Sequence, residues 1–259
     1  MKLIQLPENR GFTGACNAGL RAATGEIQIL LNNDTEADSG WLEAVAATFE
    51  RYPKAGSVAS KMLLFDQRDV IHSAGDGYGI DGIPFNRGVW QKDKGQVDEP
   101  GWVFGGCGGA VASRRAMLEE VGAVDESVFM YCEDVDLNWR SQAAGWKCWY
   151  TPEAVVFHKL SATGGGPIAS YYTGRNTLWV IAKNYPVRLL RKYWLQVAAA
   201  QWTITRDAIR AWRGEAARAR LRGQLAGLLG WRSMHKKYQR DWKVPEDYIE
   251  TLLRHTSKE

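Results

Sequence analysis

The feature that most constrains the fold is a near-continuous apolar run, Ile27–Leu31, that ends at the polar segment Asn32-Asn33-Asp34. Such a run predicts a central strand that is covered on both faces. Lys2–Leu6 is predicted to form an earlier short strand, and Ala15–Ala23 a helix between the two. The chain therefore begins with a strand–helix–strand alternation.

A second helix is predicted after the polar segment, capped by Asp38 or Ser39 and continuing to about Tyr52. Its buried stripe is Trp41, Val45 and Phe49. This order favours an α/β fold with an open, largely parallel sheet. Ligands of such folds bind in the crevice beyond the carboxyl ends of the strands.

The remainder continues the alternation around one long interruption. Residues 56–64 are predicted to form a strand, and the Gly- and Asp-rich residues 66–101 an acceptor-side or lid loop. Two further helices, two strands and a histidine follow the Gly-rich segment Phe104–Ala110. These are a helix capped by Ser113 and ending at Val121, the helix Glu133–Ala144, the strands Lys147–Tyr150 and Ala154–Phe157, and His158.

Composition excludes several classes of protein. In 259 residues, 45% are hydrophobic and 24% charged, which excludes a disordered or collagen-like chain. The four cysteines form no C-x-x-C pair, so neither a zinc knuckle nor a dense disulfide framework is predicted. We see no signal peptide and no bilayer-spanning segment, and we expect a cytoplasmic protein.

Charge is distributed unevenly along the chain. Residues 186–259 contain 16 Lys and Arg against 7 Asp and Glu, whereas residues 1–185 contain 17 against 22. Trp and Leu are interleaved with the basic residues, as in helices that lie on anionic membranes. We therefore predict a catalytic region, 1–185, followed by a basic, helical, membrane-associating region, 186–259.

An alternative for the basic region is a helical hairpin that packs on the catalytic region and exposes a solvated basic face. Nucleic acid is not an expected partner, because no recognition motif accompanies the charge and the acidic body would repel a polyanion.

Two polar clusters suggest chemistry. A carboxylate at Asp34, beyond a buried strand, can hold Mg²⁺ or Mn²⁺, although the segment can equally be a turn that caps the next helix. Glu133, Asp134 and Asp136 fall in the first turn of a predicted helix, where the helix dipole alone favours acids. His158 follows an apolar strand and can supply an imidazole to the same cation.

Five ordered segments resemble the family 2 inverting glycosyltransferases, especially their bacterial rhamnosyltransferase-like branch. The similarity covers about residues 3–185. The segments are Glu8–Gly19, Ile29–Thr35, Gly106–Ala110, Glu133–Asp136 and Phe157-His158.

The resemblance implies a Rossmann-like glycosyltransferase A-type fold with a mixed, mainly parallel sheet. It also implies a nucleotide-diphospho-sugar donor, linked to dTDP or UDP, and a glycan or lipid-linked glycan acceptor in cell-envelope polysaccharide synthesis. Rhamnose is the sugar that this branch suggests. The basic region then places the enzyme at the inner face of the plasma membrane.

The resemblance assigns roles by position. Asp134 aligns with the catalytic base, and Glu133 would orient the acceptor and the base. Asp34 and His158 align with metal ligands, whereas Asn32 departs from the family's first aspartate, which implies a lower metal affinity. The remaining assignments are donor contacts at Asn9, Gly14, Asn17, Asn32 and Asn33, and acceptor-side contacts at Gly106, Cys107 and Gly108.

The resemblance further implies strands that precede this chain, so the sheet is expected to lack members and to present an unpaired edge. Such a chain would be truncated, a fragment, or completed by a partner. The alternative to an active transferase is a non-catalytic remnant or a partner subunit of such an enzyme. A metal-dependent phosphohydrolase is a third hypothesis, which the lack of a second cluster of metal ligands disfavours.

Overall fold

The computed structural model describes residues 2–159, 166–237 and 242–254. Parts of the predicted basic region, 238–241 and 255–259, lie outside the described residues. The helices are α1 (Gly11–Ala22), α2 (Trp41–Arg51), α3 (Arg115–Val121), α4 (Glu133–Ala143), α5 (Gly166–Asn184), α6 (Val187–Arg210), α7 (Glu215–Lys237) and α8 (Glu246–Leu252). The strands are β1 (Ile27–Leu31), β2 (Thr35–Ala37), β3 (Ala55–Leu64), β4 (Ile71–Ala74), β5 (Asp76–Gly79), β6 (Pro84–Asn86), β7 (Gly101–Val103), β8 (Ala110–Arg114), β9 (Lys147–His158) and β10 (Leu253–Arg254).

The main sheet has the strand order β1-β8-β3-β9-β2, with β4 beside β3 and β7 beside β9. A mixed sheet was predicted and is found, but the expectation that it is mainly parallel is wrong. Within the described residues β3 and β9 form its parallel pair, and its other pairs are antiparallel. The reason is that β8 lies antiparallel between β1 and β3, so β1 and β3, which point the same way, are not neighbours.

The apolar run Ile27–Leu31 does form a strand, but β1 is not central. It stands at one end of the sheet, where β8 is its partner among the described strands, and Leu31 is exposed. The prediction that preceding strands are missing stays a prediction.

The stripe predicted on α2 is confirmed, because Trp41, Val45 and Phe49 are all buried against the sheet. The predicted cap is wrong: Gly40 precedes the helix and no side chain caps it. The indole N–H of Trp41 donates to Ser60 Oγ at 2.9 Å and fixes the first turn of α2 against β3.

Other boundaries also differ from the prediction. Residues 2–6 form no strand, α1 begins four residues early at Gly11, and Ser113 lies in β8 rather than capping α3. The two predicted strands before His158 are one continuous strand, β9.

The largest difference concerns residues 66–101. The predicted lid loop contains β4, β5 and β6 and packs as part of the body, with Ile71, Ala74 and Tyr78 fully buried. Some of its glycines and aspartates occupy turns between short strands, whereas Asp76, Gly77 and Gly79 lie in β5 itself. Glycine and aspartate are also typical of loops, which explains the prediction.

The helical layer begins with α5, inside the region predicted to be catalytic. Helices α5 and α7 approach until their backbones touch: a Cβ on Gly223 would lie 2.1 Å from the Tyr171 carbonyl oxygen. The layer returns to the body at its far end, where β10 pairs in parallel with β5. Ile249 and Leu253 are buried there in one cluster with Tyr78.

The predicted interfacial tryptophans divide into two groups. Trp231 and Trp242 pack against the buried cluster, whereas Trp194, Trp202 and Trp212 are exposed. Among the described residues, none of the helices combines the length and the apolar composition needed to cross a membrane.

Candidate functional site

A cleft of about 420 Å³ opens where β1 and β9 end and α4 begins. Three of the sequence-predicted clusters meet in it, which are the segment after β1, the Gly-rich segment before β8 and the acidic start of α4. The residues that line it are Phe12, Asn32, Asp34, His72, Asp76, Pro84, Phe85, Asn86, Cys107, Gly108, Gly109, Met130, Tyr131, Glu133, Asp134, Val135 and His158.

Asp34 and His158 are brought together although they are far apart in the sequence. His158 Nε2 lies 3.2 Å from Asp34 Oδ1, because β2 pairs with the end of β9. The Asp34 carbonyl accepts from the Lys159 N–H at 2.8 Å and holds the turn in place. Both side chains are largely buried but border the cleft.

His72 was not predicted. Its Nδ1 lies 3.2 Å from Nδ1 of His158, so both ring nitrogens of His158 have a partner. Burial lowers the pKa of His72 to about 4, and the proximity of His158 adds to this effect. The His72 imidazole is therefore neutral at pH 7.

Two backbone hydrogen bonds fix the carboxylate of Asp134 at the start of α4. The Gly108 N–H donates to its Oδ2 at 2.8 Å and the Val135 N–H to its Oδ1 at 2.7 Å. Burial raises the pKa of Asp134, and these two hydrogen bonds oppose the increase. A carboxylate positioned in this way can accept a proton from a hydroxyl group in the cleft.

Glu133 has a different environment. Its Oε2 is buried without a hydrogen-bond partner among the described residues. Burial, followed by the charge of Asp134, raises the pKa of Glu133 to about 8. Burial thus raises the pKa of both adjacent carboxyls, and shifted pKa values are a frequent property of acid–base sites.

Asp136, the third acid of the cluster, is not in the cleft. It is fully buried and pairs with Arg140 at 2.9 Å and Lys183 at 2.8 Å. The structural interpretation of the acidic run is therefore correct for Asp136, whereas Glu133 and Asp134 face the cleft.

The Gly-rich segment brings backbone close to the acids. A Cβ on Gly105 would lie 2.0 Å from Asn138 Cγ, and one on Gly108 would lie 3.3 Å from Asp134 Oδ2. Cys107 and Gly108 line the cleft, but Gly106 points into the interior, where its N–H and carbonyl group meet Asn138.

The donor contacts predicted on α1 and just before it lie outside the cleft. Asn9 Oδ1 accepts from the Gly11 N–H, and Asn17 Nδ2 donates to the Val124 carbonyl and to Glu126. Neither residue lines the cleft, nor do Gly14 and Asn33. Phe12 provides the contribution of α1 instead.

Asp76 is a second residue that the sequence reading missed. It accepts from Asn86 Nδ2 at 2.9 Å and from Ser73 Oγ, and it is almost fully buried beside the cleft. Burial, and then the charge of Asp134, raises its pKa well above the usual range. The local sequence gives little signal, because the strand before Asp76 is short and includes His72 and Ser73.

Among the described residues, no group of three or more His, Cys, Asp or Glu side chains is placed to hold a metal ion. Asp34 and His158 alone fit a cation that takes its other ligands from a bound diphosphate and from water, as Mg²⁺ commonly does. The donor set of one carboxylate oxygen and one imidazole nitrogen also suits Mn²⁺.

Comparisons with known proteins agree with this geometry. Residues 1–122 match the family model described as Glycosyl transferase family 2. Over 195 residues the chain is 31% identical to the N-acetylglucosaminyl-diphospho-decaprenol L-rhamnosyltransferase of Mycobacterium tuberculosis, a match that covers 64% of this chain and 62% of that protein. Over 161 residues it is 32% identical to the O-antigen biosynthesis protein RfbC of Myxococcus xanthus, and this match covers 57% of this chain and 12% of that protein. The chain thus spans less than two thirds of these curated relatives.

The fold is shared with a solved structure, the crystal structure of GalNAc-T7 with UDP, GalNAc and Mn²⁺. The TM-score is 0.59 at 16% identity, and the match covers 90% of this chain and 42% of that chain. These results confirm the predicted α/β class with a mixed sheet and the resemblance to the rhamnosyltransferase-like family 2 glycosyltransferases.

Proposed function

We propose that the chain is an inverting glycosyltransferase that uses a nucleotide-diphospho-sugar donor, because residues 1–122 match the family model described as Glycosyl transferase family 2. One observation carries the proposal: the pair Asp34 and His158 and the pair Glu133 and Asp134 border a single cleft. A transferase of this kind needs both a site for the leaving diphosphate and a base for the acceptor.

Asp134 is the proposed base. Its carboxylate takes the proton from an acceptor hydroxyl as the oxygen of that hydroxyl attacks the anomeric carbon. The bond between that carbon and the diphosphate breaks in the same displacement, so the configuration inverts. The hydrogen bonds from Gly108 and Val135 keep the carboxylate oriented without another side chain.

Asp34 and His158 are the proposed ligands of a divalent cation, either Mg²⁺ or Mn²⁺. When bound, such an ion offsets the negative charge that develops on the departing diphosphate. His72 holds the second ring nitrogen of His158 and so fixes the orientation of the ring. The presence of Mn²⁺ and UDP in GalNAc-T7, which shares the fold, supports this assignment.

Donor contacts are proposed for Asn32, which lines the cleft, and for Asn9, Gly14, Asn17 and Asn33, which require a change in the surrounding segments to reach it. Cys107 and Gly108 are proposed to face the acceptor. Gly106 acts through the backbone that it positions.

The proposed sugar is rhamnose, carried by dTDP or UDP, and the proposed acceptor is a glycan or lipid-linked glycan of a cell-envelope polysaccharide. The name of the mycobacterial relative, an L-rhamnosyltransferase acting on a diphospho-decaprenol, supports this choice. The exposed Trp194, Trp202 and Trp212 support a peripheral position on an anionic membrane at its cytoplasmic face.

The experiment is a calorimetric titration of the full chain with UDP and with dTDP, in the presence and absence of Mn²⁺. We expect metal-dependent binding of one nucleotide, which Asp34→Ala and His158→Ala weaken by about 10-fold or more. Glu36→Ala, an exposed carboxylate beyond the cleft, is the matched control. Binding that is insensitive to EDTA would contradict the metal site.

Transfer itself is measured with dTDP-rhamnose or UDP-sugars and a soluble N-acetylglucosaminyl diphospholipid analogue. Nucleotide binding without any transfer would identify a non-catalytic relative. Donor cleavage that does not depend on acceptor would identify a phosphohydrolase.

A further inference from the structure

A second groove, of about 500 Å³, lies between α5, α6 and α7 and is separate from the cleft. Most of its surface is apolar and comes from Ile83, Ile204, Ala208 and Ala217. Ser170 and Thr173 add hydroxyl groups from α5. A groove of this composition suits the stem of an amphipathic molecule.

The groove adjoins the catalytic cleft. Pro84, at the start of β6, lines both. Thr177 lines the groove and contacts the thiol of Cys132, the residue that immediately precedes Glu133. A molecule that occupies the groove therefore has one end close to the proposed base.

Arg220 is the unusual residue of the groove. It is half-buried on α7, and within the described ranges of the chain it makes no hydrogen bond and no ion pair. Burial lowers its pKa. The groove's carboxylate, Asp207, is paired instead with Arg206 and Arg210.

A partly buried cation without a protein partner is costly unless an anion from outside completes it. The planar guanidinium group binds phosphate with two parallel hydrogen bonds, and it is less strongly hydrated than an ammonium group. The groove thus offers a mainly apolar surface and one side chain, Arg220, that can bind a phosphate group.

We propose that this groove binds the lipid stem of a glycosyl diphospholipid acceptor and that Arg220 is the ligand of its phosphate. This inference rests on the proposed function, because it names the acceptor class of the same transferase. The shared boundary at Pro84 then lets the acceptor sugar reach Asp134 while the stem remains between the helices.

The test uses the full chain, EDTA and calorimetric titration with farnesyl diphosphate and with farnesol. We expect Arg220→Gln to weaken binding of farnesyl diphosphate about 10-fold, the loss of one charge-assisted contact, and to leave farnesol unchanged. Arg222→Gln, an exposed arginine on the same helix, is the matched control and should bind as the wild type does. Equal affinities for Arg220→Gln and the wild type would overturn the proposal.

A second variant keeps the test valid if the loss of Arg220 disturbs α7. Ala217→Trp fills the groove and should abolish binding of both probes, whereas Ala199→Trp, at an exposed position on α6, should not. Unchanged binding by Ala217→Trp would overturn the proposal.

Two further arms locate the probe. Asp34→Ala should leave farnesyl diphosphate binding intact, and a loss would place the probe in the nucleotide cleft and overturn the proposal. Sedimentation with phosphatidylglycerol vesicles should not depend on Arg220, and a 10-fold loss there would assign the residue to a membrane surface instead.

The failures of the two proposals can be distinguished. If neither UDP nor dTDP binds but farnesyl diphosphate binding still depends on Arg220, the transferase proposal fails; the groove is then a diphospholipid-binding site, and its role as an acceptor site fails with the transferase. If transfer to a soluble acceptor proceeds and Arg220→Gln has no effect, the groove proposal alone fails.

Discussion

On α4, the carboxylate of Asp136 is fully buried and meets Arg140, Lys183 and Asn184, whereas on α6 the exposed Arg206 and Arg210 share a single exposed carboxylate, Asp207. The first arrangement satisfies each charge inside the protein. The second leaves excess positive charge in solvent, next to exposed tryptophans.

The difference indicates how each region works. Charges around the cleft act within the protein, so their positions and proton affinities are fixed by burial and backbone hydrogen bonds. We propose that charges on the outer helices act on an anionic surface outside the protein, so their removal should weaken binding and change stability little. Substitutions in each region test whether its charges act within the protein or on an external partner.

The largest effect is expected for Asp134→Asn. Asparagine keeps the size of the side chain, but its single oxygen can accept only one of the two backbone hydrogen bonds and its amide cannot take the acceptor proton. The transfer rate should therefore fall by about 10²–10⁴-fold. Nucleotide affinity, measured by calorimetry, should stay within about 2-fold of the wild type. An equal loss of binding and rate would contradict the role of Asp134 as the base.

Asp136→Asn, two residues further along the same helix, should affect stability instead. It leaves Lys183 and Arg140 buried with one partner fewer, which costs about 3–5 kcal/mol in the free energy of unfolding. Urea denaturation measures this loss. Asp38→Asn, at an exposed position, is the control and should change it by less than about 0.5 kcal/mol.

Glu133→Gln should change how stability depends on pH. The pKa of Glu133 is raised to about 8, so between its ordinary value of 4.5 and about 8 the folded chain keeps a proton that the unfolded chain has lost. Stability of the wild type therefore falls as pH rises through that window. Glutamine removes this dependence, so the variant should gain about 1–3 kcal/mol on the wild type between about pH 4 and pH 9.

Thermal unfolding across that range measures the effect. A constant difference between Glu133→Gln and the wild type at all pH values would show that burial does not shift the titration of this carboxyl.

The smallest effect on stability is expected for the double variant Arg206→Gln, Arg210→Gln. Its free energy of unfolding should stay within about 0.5 kcal/mol of the wild type, while binding to phosphatidylglycerol vesicles should weaken by about 1 kcal/mol per residue. Arg188→Gln is the matched control, because Arg188 is exposed but already paired with Glu246 and Asp247. Equal vesicle binding by all three proteins would remove the membrane proposal.

The sequence predicted well where local pattern determines the structure. Trp41, Val45 and Phe49 recur at helical spacing, and only a helix places them on one buried face. Gly145, in the left-handed region just after α4, likewise marks its end.

Tertiary pairing could not be read in this way. β8 lies between β1 and β3, and this order depends on contacts between distant segments. Asp34 lies beside His158 because β2 pairs with β9. Each partner has an ordinary local sequence, so only the family resemblance connected the two residues.

His72 and Asp76 were missed for a related reason. They lie in a segment whose glycines and aspartates suggested an open loop, although the segment folds into short strands that border the cleft. A site residue on a short strand has no periodicity that distinguishes it from a surface turn.

The pairing of β10 with β5 limits how such a chain can diversify. Asp76, on the wall of the cleft, begins β5, and β10 completes the small sheet beside it. An exchange of the helical layer between relatives, or a deletion of the residues that follow α7, would therefore remove a strand from the small sheet at the wall of the cleft. Recombination that keeps activity should carry residues 246–254 with the catalytic body, even though the intervening helices change.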